Sequence, residues 1–177
     1  ALKYYSLDGN FIKKISLPVI GSITAINAEK EGDNLFFGFS SFVVPHFIYR
    51  FNLIQERHFI FKEEKSCINP NHYTVKQLWC VSKDNVKIPL FIVHKKEIKL
   101  NGENPLLLYG YGGFGISIVP YFNKNIIPFL ESGGIYAIAN IRGGGEFGEK
   151  WHKSGVGRKK QKVFDDFVSS AEWLIKN

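Results

Sequence analysis

A short apolar run that leads directly into a cluster of glycines constrains the fold of this chain more than any other feature. Residues 105–108 read Pro-Leu-Leu-Leu, and residues 109–114 read Tyr-Gly-Tyr-Gly-Gly-Phe. A buried strand that ends in a glycine-rich turn is where α/β enzymes place groups that bind oxygen anions. The 177 residues contain no Gly-x-Ser-x-Gly turn. We therefore expect half of an active site, without its nucleophile.

The second half of the chain has the pattern of an α/β protein. Two β-prone runs joined by a polar turn predict an antiparallel hairpin, and two later apolar runs indicate strands buried on both faces of a parallel sheet. Two further stretches predict helices, and Asp165 and Asp166 fall off the apolar stripe of the longer one. The predicted strands span residues 75–81, 88–94, 105–109 and 134–141, and the predicted helices span residues 123–131 and 160–176.

The first part of the chain predicts a β-rich unit. Short β-prone runs alternate with turn residues at a spacing typical of a sandwich, a barrel or a propeller blade. Residues 62–73 are charged or turn-forming, which indicates a crossing between two domains. The β-prone runs span residues 3–7, 11–17, 22–26, 34–39 and 47–51.

The order of the predicted strands indicates why a nucleophile is missing. In an α/β-hydrolase an oxyanion donor lies in the loop after the third strand, and the nucleophile turn follows the fifth. With the hairpin as strands one and two, residues 105–109 form the third strand and residues 134–141 the fourth, and the chain stops before a fifth. It also begins with Ala1 and contains no Met. We expect a fragment that is catalytically inert by itself.

Three interpretations of the glycine loop compete. Gly110, Gly112 and Gly115 have the spacing of a dinucleotide-binding turn, but the β-branched residues and the proline over residues 116–120 oppose the helix that should follow. A second interpretation is a tight turn with packing aromatic residues, which we favour for Tyr109. The third is a functional turn, in which the hydroxyl of Tyr111, protonated at neutral pH, donates to a developing oxyanion.

A second glycine-rich segment follows the fourth predicted strand. It suggests either an anion-binding loop with the Arg142 guanidinium as its clamp, or a packing loop whose Arg142 pairs with Glu146 or another nearby carboxylate. We favour the packing loop. Asp165 and Asp166 lie near the start of the last predicted helix, where we expect them to interact with the helix dipole or to have a cap-like role, and not to be catalytic.

Charge and composition argue against several other classes of protein. The formal net charge is +7, but the lysine pairs are scattered, so we expect a solvated surface and no nucleic-acid partner. Cys67 and Cys80 lack the spacing of a metal site, which predicts reduced thiols and no metal. No apolar run approaches the roughly 18 residues of a membrane span, so we expect no membrane partner.

Three long motifs carry a family resemblance. They read YGYGGFGISIVPYF, IANIRGGGEFGEKWH and VFDDFVSSAEWLI, with further similarity upstream in residues 88–96 and 39–42. In these motifs the chain resembles the prolyl oligopeptidase family of serine peptidases. The resemblance implies an α/β fold, with a partial α/β-hydrolase domain preceded by the C-terminal β strands of a β-propeller. Residues 1–65 would be the last propeller blade, and residues 66–177 the N-terminal half of the hydrolase domain.

The same resemblance implies a function. Family members cleave short proline-containing peptides on the carboxyl side of proline, and by resemblance Tyr111 is the oxyanion donor and Phe114 lines the substrate pocket. The catalytic Ser, Asp and His would lie beyond residue 177, so we expect His94 and His152 to be structural. No metal or organic cofactor is implied, and the intact parent is expected to be a cytoplasmic monomer. A non-catalytic binding or assembly module stays open as the alternative, as does a dinucleotide-binding domain.

Overall fold

The computed structural model describes residues 2–28, 30–64 and 68–177. The chain divides into two compact units. We call Ala1–Pro70 together with Val119–Asn123 the β unit, and Asn71–Ile118 together with Lys124–Asn177 the α/β unit. The boundary predicted between residues 65 and 66 lies outside the described residues, as does Cys67, so both remain predictions.

The β unit consists of antiparallel strands. A two-stranded sheet pairs β1 with β2, and β3 to β6 form a four-stranded sheet in which each strand neighbours the next in sequence. Every predicted run coincides with one of the first five strands, whereas β6 was missed because its run of only three apolar residues is flanked by His58 and Lys62. The strands are β1 (Leu2–Tyr5), β2 (Phe11–Ile15), β3 (Ser22–Ala28), β4 (Asn34–Ser40), β5 (Phe47–Asn52) and β6 (Arg57–Lys62).

Aromatic side chains on neighbouring strands build the core of the β unit. Phe37 and Phe39 on β4 are buried, as are Tyr49 and Phe51 on β5. Residues two apart on a strand point to the same face, so these pairs share one side of the sheet. The rings of Phe37 and Tyr49, directly opposite in the register, stack with centroids 5.4 Å apart. Such cross-strand aromatic pairs fix the register of the sheet.

The α/β unit is built on a mixed four-stranded sheet in the order β7-β8-β10-β9. β7 and β8 form the predicted hairpin, and β10 runs antiparallel to β8 and parallel to β9. The strands are β7 (Tyr73–Val81), β8 (Lys87–Lys95), β9 (Leu106–Gly110) and β10 (Ile135–Ala139), and the helices are α1 (Ile127–Glu131), α2 (Glu149–Lys153) and α3 (Gln161–Lys176). Short 3₁₀ turns span Pro70–His72, Lys124–Ile126 and Gly157–Lys159.

The predicted order of strands and helices in this unit is confirmed, with two corrections. The five-residue helix α2 was missed, because it is too short to show an apolar period. Strand β9 was expected to be buried on both faces, but it lies at the edge of the sheet with Leu107 46% and Tyr109 42% exposed. Within the described residues, Tyr109 therefore lacks the burial on both faces that its apolar run predicts.

The core of the α/β unit lies between the sheet and α3. It contains Cys80, Ile88, Leu90, Ala139, Ile141 and Val163, with the larger side chains of Trp151, Phe167, Trp173 and Leu174 packed against it. Burial raises the pKa of the Cys80 thiol, and Cys80 is a free cysteine, as predicted. In the part of the chain that the structure describes, every helix is too short or too polar to cross a bilayer.

Candidate active site

The glycine loop is a non-helical turn at the end of β9. Gly112, Phe114 and Gly115 all adopt left-handed backbone conformations, with φ of 58°, 54° and 67°. The amide of Ile116 donates to the carbonyl of Gly113 at 3.0 Å, which closes the turn. The first helical turn after the loop begins only at Lys124. The dinucleotide interpretation is therefore wrong, because it needs a helix N-terminus at Gly115 to hold a pyrophosphate.

The loop presents two aromatic side chains at the end of β9. Tyr111 is 42% exposed and Phe114 is 87% exposed, and their ring centroids are 6.5 Å apart. A left-handed conformation costs a bulky L residue roughly 1–2 kcal/mol, so Phe114 is held in a strained conformation while its ring faces solvent. Backbone strain of this kind concentrates at functional sites.

Hydrogen bonds to Gly143 and Lys160 hold the glycine loop in place, and His152 in turn binds Gly143. The carbonyl of Gly143 accepts from the amide of Gly115 at 3.1 Å and contacts Nδ1 of His152 at 2.8 Å. Because a carbonyl can only accept, Nδ1 of His152 carries the hydrogen. The ammonium of Lys160 donates to the carbonyl of Gly112 at 2.7 Å. His152 thus has the structural position expected of it, whereas the role of Lys160 was not foreseen.

Close backbone packing explains why both segments are rich in glycine. A Cβ at Gly143 would lie 2.5 Å from the carbonyl oxygen of Gly112, and a Cβ at Gly145 would collide with that of Gly115. Gly112 in turn lies against Val163 and Ile141 in the core. The position of Tyr111 is therefore set by contact between the backbones of two loops. The favoured packing interpretation of the second glycine segment agrees with this geometry.

A buried ion-pair network fixes the start of that second loop. Arg142, 3% exposed, donates through its backbone amide and Nε to Oδ2 of Asp166 at 3.0 and 2.9 Å, and through Nη2 to Oδ1 at 2.6 Å. Its two Nη atoms also donate to the carboxylate of Asp84 at 2.6 and 2.9 Å. The hydroxyl of Ser82 donates to Oδ1 of Asp166 at 2.6 Å.

The network corrects two expectations. The carboxylates that pair with Arg142 are Asp166 and Asp84, so the prediction of a nearby carboxylate is confirmed and the suggestion of Glu146 is wrong. α3 begins at Gln161 and has no acidic residue in its first turn and no side-chain cap, so the roles expected of Asp165 and Asp166 at the helix start are also wrong. The hydrogen bonds that Arg142 donates to Asp166 raise the pKa of Arg142, and those that it donates to Asp84 lower the pKa of Asp84 to about 2.

Glu146 has a different position, at the far end of the glycine loop. Its Oε1 accepts from the amide of Ile118 and from Nδ2 of Asn140, both at 3.0 Å. Nδ2 of Asn140 also donates to the carbonyl of Ile118 at 2.8 Å. Both ends of the loop are therefore tied to the segment that follows β10.

Two serines and two histidines of the α/β unit bind backbone carbonyls. The hydroxyls of Ser132 and Ser154 donate to the carbonyls of Phe129 and Trp151 at 2.8 and 2.6 Å. Nδ1 of His94 contacts the carbonyl of Lys95 at 2.7 Å, and His152 contacts Gly143 as described above. A nucleophilic serine needs an imidazole within hydrogen-bond reach, which these contacts do not provide.

The architecture and the site together define a class of protein. The α/β unit is part of an α/β-hydrolase domain, and the β unit contributes β-propeller strands ahead of it. The family model for the N-terminal β-propeller domain of prolyl oligopeptidase matches residues 1–64, and the model for the prolyl oligopeptidase family matches residues 120–177. The chain belongs to the prolyl oligopeptidase family, as its motifs predicted.

Individual relatives cover nearly all of the chain. It is 39% identical to the prolyl endopeptidase of Elizabethkingia meningoseptica over 99% of its own length and 25% of that protein. Identity to prolyl oligopeptidase A of Amanita bisporigera is also 39%, over 99% of this chain and 24% of the relative. The unliganded structure of prolyl oligopeptidase B from Galerina marginata matches with a TM-score of 0.89 and 36% identity, over 98% of this chain and 25% of that one. The chain thus spans about a quarter of its relatives' length.

Several residues of the site carried no signal in the sequence. Ser82 and Asp84 lie in a polar hairpin turn, where such residues are common for local reasons. Lys160 belongs to a basic stretch whose composition is typical of a solvated surface. Their partners are at least 24 residues away in sequence, so only the folded chain identifies them.

Two adjacent aspartates of α3 provide a matched test of the network. In the full-length protein, Asp166→Asn should lower the free energy of unfolding by about 3 kcal/mol, because it removes a buried partner from a buried guanidinium. Asp165→Asn should cost less than about 1 kcal/mol, since the partners of Asp165 among the described residues are the exposed Lys83, at 3.3 Å, and Gln161. Urea unfolding of both variants measures the difference. Equal losses in the free energy of unfolding would show that the buried ion pair contributes no more to stability than the exposed one.

The lowered pKa of Asp84 predicts a particular dependence on pH. A carboxyl group whose pKa falls to about 2 on folding contributes stability above its unfolded pKa of about 4 and loses it as pH falls through the folded value. Asp84→Asn should therefore reduce stability at neutral pH, and the gap to wild type should narrow as pH drops from about 4 towards 2. Urea titrations across this range measure the gap, with Asp8→Asn on an exposed turn as control. If the difference in free energy of unfolding between wild type and Asp84→Asn stayed constant with pH, the ion pair would not contribute to stability.

Proposed function

We propose that this chain is part of a serine peptidase that hydrolyses short peptides on the carboxyl side of proline. The observation that carries the proposal is the exposed hydroxyl-bearing ring of Tyr111 on a loop whose position is fixed by backbone contacts at the end of β9. The relatives named prolyl endopeptidase and prolyl oligopeptidase support the choice of reaction and substrate.

The proposed chemistry is acyl transfer through a serine ester. The serine oxygen attacks the carbonyl carbon of the scissile bond, and the carbonyl oxygen becomes an oxyanion in the tetrahedral intermediate. Tyr111 donates its hydroxyl hydrogen to that oxygen, so the negative charge is stabilised where it forms. Preorganisation is what makes such a donor effective, and the contacts of Gly112, Gly115 and His152 provide it.

Phe114 is proposed to line the pocket that receives the substrate. Its ring is almost fully exposed on the same loop as Tyr111, and its backbone is held in the left-handed region. Glycine or asparagine would be less strained at this position. A large apolar side chain here is thus explained better by contact with an apolar ligand, such as the ring of a proline residue, than by the stability of the loop.

We propose that the complete protein acts on short proline-containing peptides as a monomer in the cytoplasm, without a metal or an organic cofactor. One relative, prolyl oligopeptidase B of Galerina marginata, has been solved with a 25mer macrocyclization substrate bound, which supports a peptide ligand. The buried free thiol of Cys80 fits a reducing compartment.

Substitution of the tyrosine hydroxyl tests the assigned role. In the full-length protein, Tyr111→Phe should reduce kcat roughly 100- to 1000-fold, as expected for loss of one oxyanion donor. Tyr109→Phe is the matched control, because Tyr109 is equally exposed two residues earlier, on the strand. Its kcat should stay close to that of wild type. A Tyr111→Phe enzyme within a few-fold of wild type would show that the hydroxyl is not a catalytic donor.

We further propose that residues 1–177 have no peptidase activity alone. The contacts of Ser132, Ser154, His94 and His152 with backbone carbonyls support this proposal, because none of these pairs forms an activated nucleophile. The purified segment should not turn over a Gly-Pro reporter. Turnover that is abolished by a serine-directed phosphonate would refute the proposal.

A further inference from the structure

Positive charge is concentrated in one short stretch of the α/β unit. Residues 149–162 contain six lysines and arginines but only one acidic residue, so they carry +5 of the chain's net charge of +7. The stretch comprises α2, the 3₁₀ turn Gly157–Lys159 and the first turn of α3. The scattered distribution expected from the lysine pairs is therefore wrong for this part of the molecule.

Three acidic groups in or beside this stretch have cationic partners, whereas Glu146 binds the amide of Ile118 and Nδ2 of Asn140. Glu149 pairs with Lys153 at 3.0 Å, and Asp84 pairs with Lys162 at 3.2 Å in addition to Arg142. The carboxylate of Asp165 is 3.3 Å from the ammonium of Lys83. Within the described residues, four cations of the stretch are left without an acidic partner. We call Lys150, Arg158, Lys159 and Lys160 the basic cluster; all four are exposed.

The basic cluster adjoins the loop that carries Tyr111. Lys160 donates to the carbonyl of Gly112, the residue next to Tyr111, at 2.7 Å. Upstream of Arg158, Gly155 packs so closely on the second glycine loop that a Cβ there would lie 2.5 Å from the amide nitrogen of Gly143. The ammonium of Lys160 therefore lies beside the loop that carries Tyr111, and Arg158 and Lys159 directly precede Lys160 in the chain.

We propose that the basic cluster binds acidic side chains of the peptide substrate, so that acidic proline-containing peptides are preferred over neutral ones. This inference rests on the proposed peptidase function. Carboxylates are the groups that the cluster fits, since the Arg158 guanidinium can bind one in a bidentate manner and the lysines act as point charges. The same cations could bind the phosphates of a nucleic acid. The hydrogen bond from Lys160 to Gly112 instead favours a ligand that contacts both the basic cluster and the Tyr111 loop.

Two matched peptides test the proposal in the full-length protein. Both contain the same Gly-Pro reporter, and one carries two glutamates where the other carries two glutamines. At low ionic strength, kcat/KM should be about five-fold higher for the acidic peptide, as expected for two exposed ion pairs of ~0.5 kcal/mol each. The preference should fall as salt is added, because salt screens exposed charges.

Charge-neutralising variants assign the preference to the cluster. The double variant Arg158→Gln/Lys159→Gln should bring the ratio of kcat/KM values to about one, without changing kcat/KM for the neutral peptide. Lys160 is left intact because it holds the Tyr111 loop. The control Lys96→Gln/Lys99→Gln removes the same charge from exposed sites in the segment before β9, at the end of that strand remote from Tyr111, and should keep the ratio.

The outcomes separate this proposal from the proposed function. An unchanged ratio in the double variant, or an equal loss in the control, overturns the role of the cluster while peptidase activity stands. If an oligonucleotide binds through Arg158 and Lys159 while the two peptides are cleaved equally, the cluster is a nucleic-acid surface and the proposal is wrong. If neither peptide is cleaved, the proposed function fails. Fluorescence anisotropy of the labelled peptides then decides, and equal affinities overturn the proposal.

Discussion

The buried ion pair between Arg142 and Asp166 is the interaction on which the α/β unit depends. Moving two charges out of water is costly, and only good geometry with further hydrogen bonds repays that cost. Here the carboxylate of Asp166 receives three bonds from Arg142, including one from its backbone amide, and one from Ser82. The pair joins the end of β10 to α3 and to the β7–β8 hairpin. These bonds therefore fix the path that the chain takes after β10, from Arg142 onwards.

That direction determines where the functional loop lies. Gly143 and Gly145 follow Arg142 directly, and their backbones pack against Gly112 and Gly115. The carbonyl of Gly143 then binds both the glycine loop and His152. A buried charge pair thus positions an exposed tyrosine through backbone contacts, without touching it. The same packing explains the strained conformation of Phe114, since a loop held at both ends cannot relax locally.

Local pattern predicted the elements of this fold well. The hairpin, the order of β9 and β10 and the amphipathic helix α3 all follow from apolar spacing, and long motifs indicated the family. The same rules failed for Asp166, because helical spacing reports which face is apolar and cannot show that an off-stripe carboxylate is buried by a partner 24 residues away. Apolar spacing also did not predict the exposure of Leu107 and Tyr109 on β9 within the described residues. The motif predicted Tyr111 as a site residue, and the sequence also singled out Gly112, Gly115 and Arg142, but the contacts that join these residues were not predicted.

The central claim is that contact between the two glycine loops positions Tyr111 for catalysis. A double-mutant cycle on kcat with Gly145→Ala and Tyr111→Phe tests it most directly, because a methyl group at Gly145 would push against the carbonyl of Gly115. We expect Gly145→Ala to lower kcat, and Tyr111→Phe to cost far less in that background than in wild type, a coupling of about 1 kcal/mol or more. Additive effects of the two substitutions would contradict the claim.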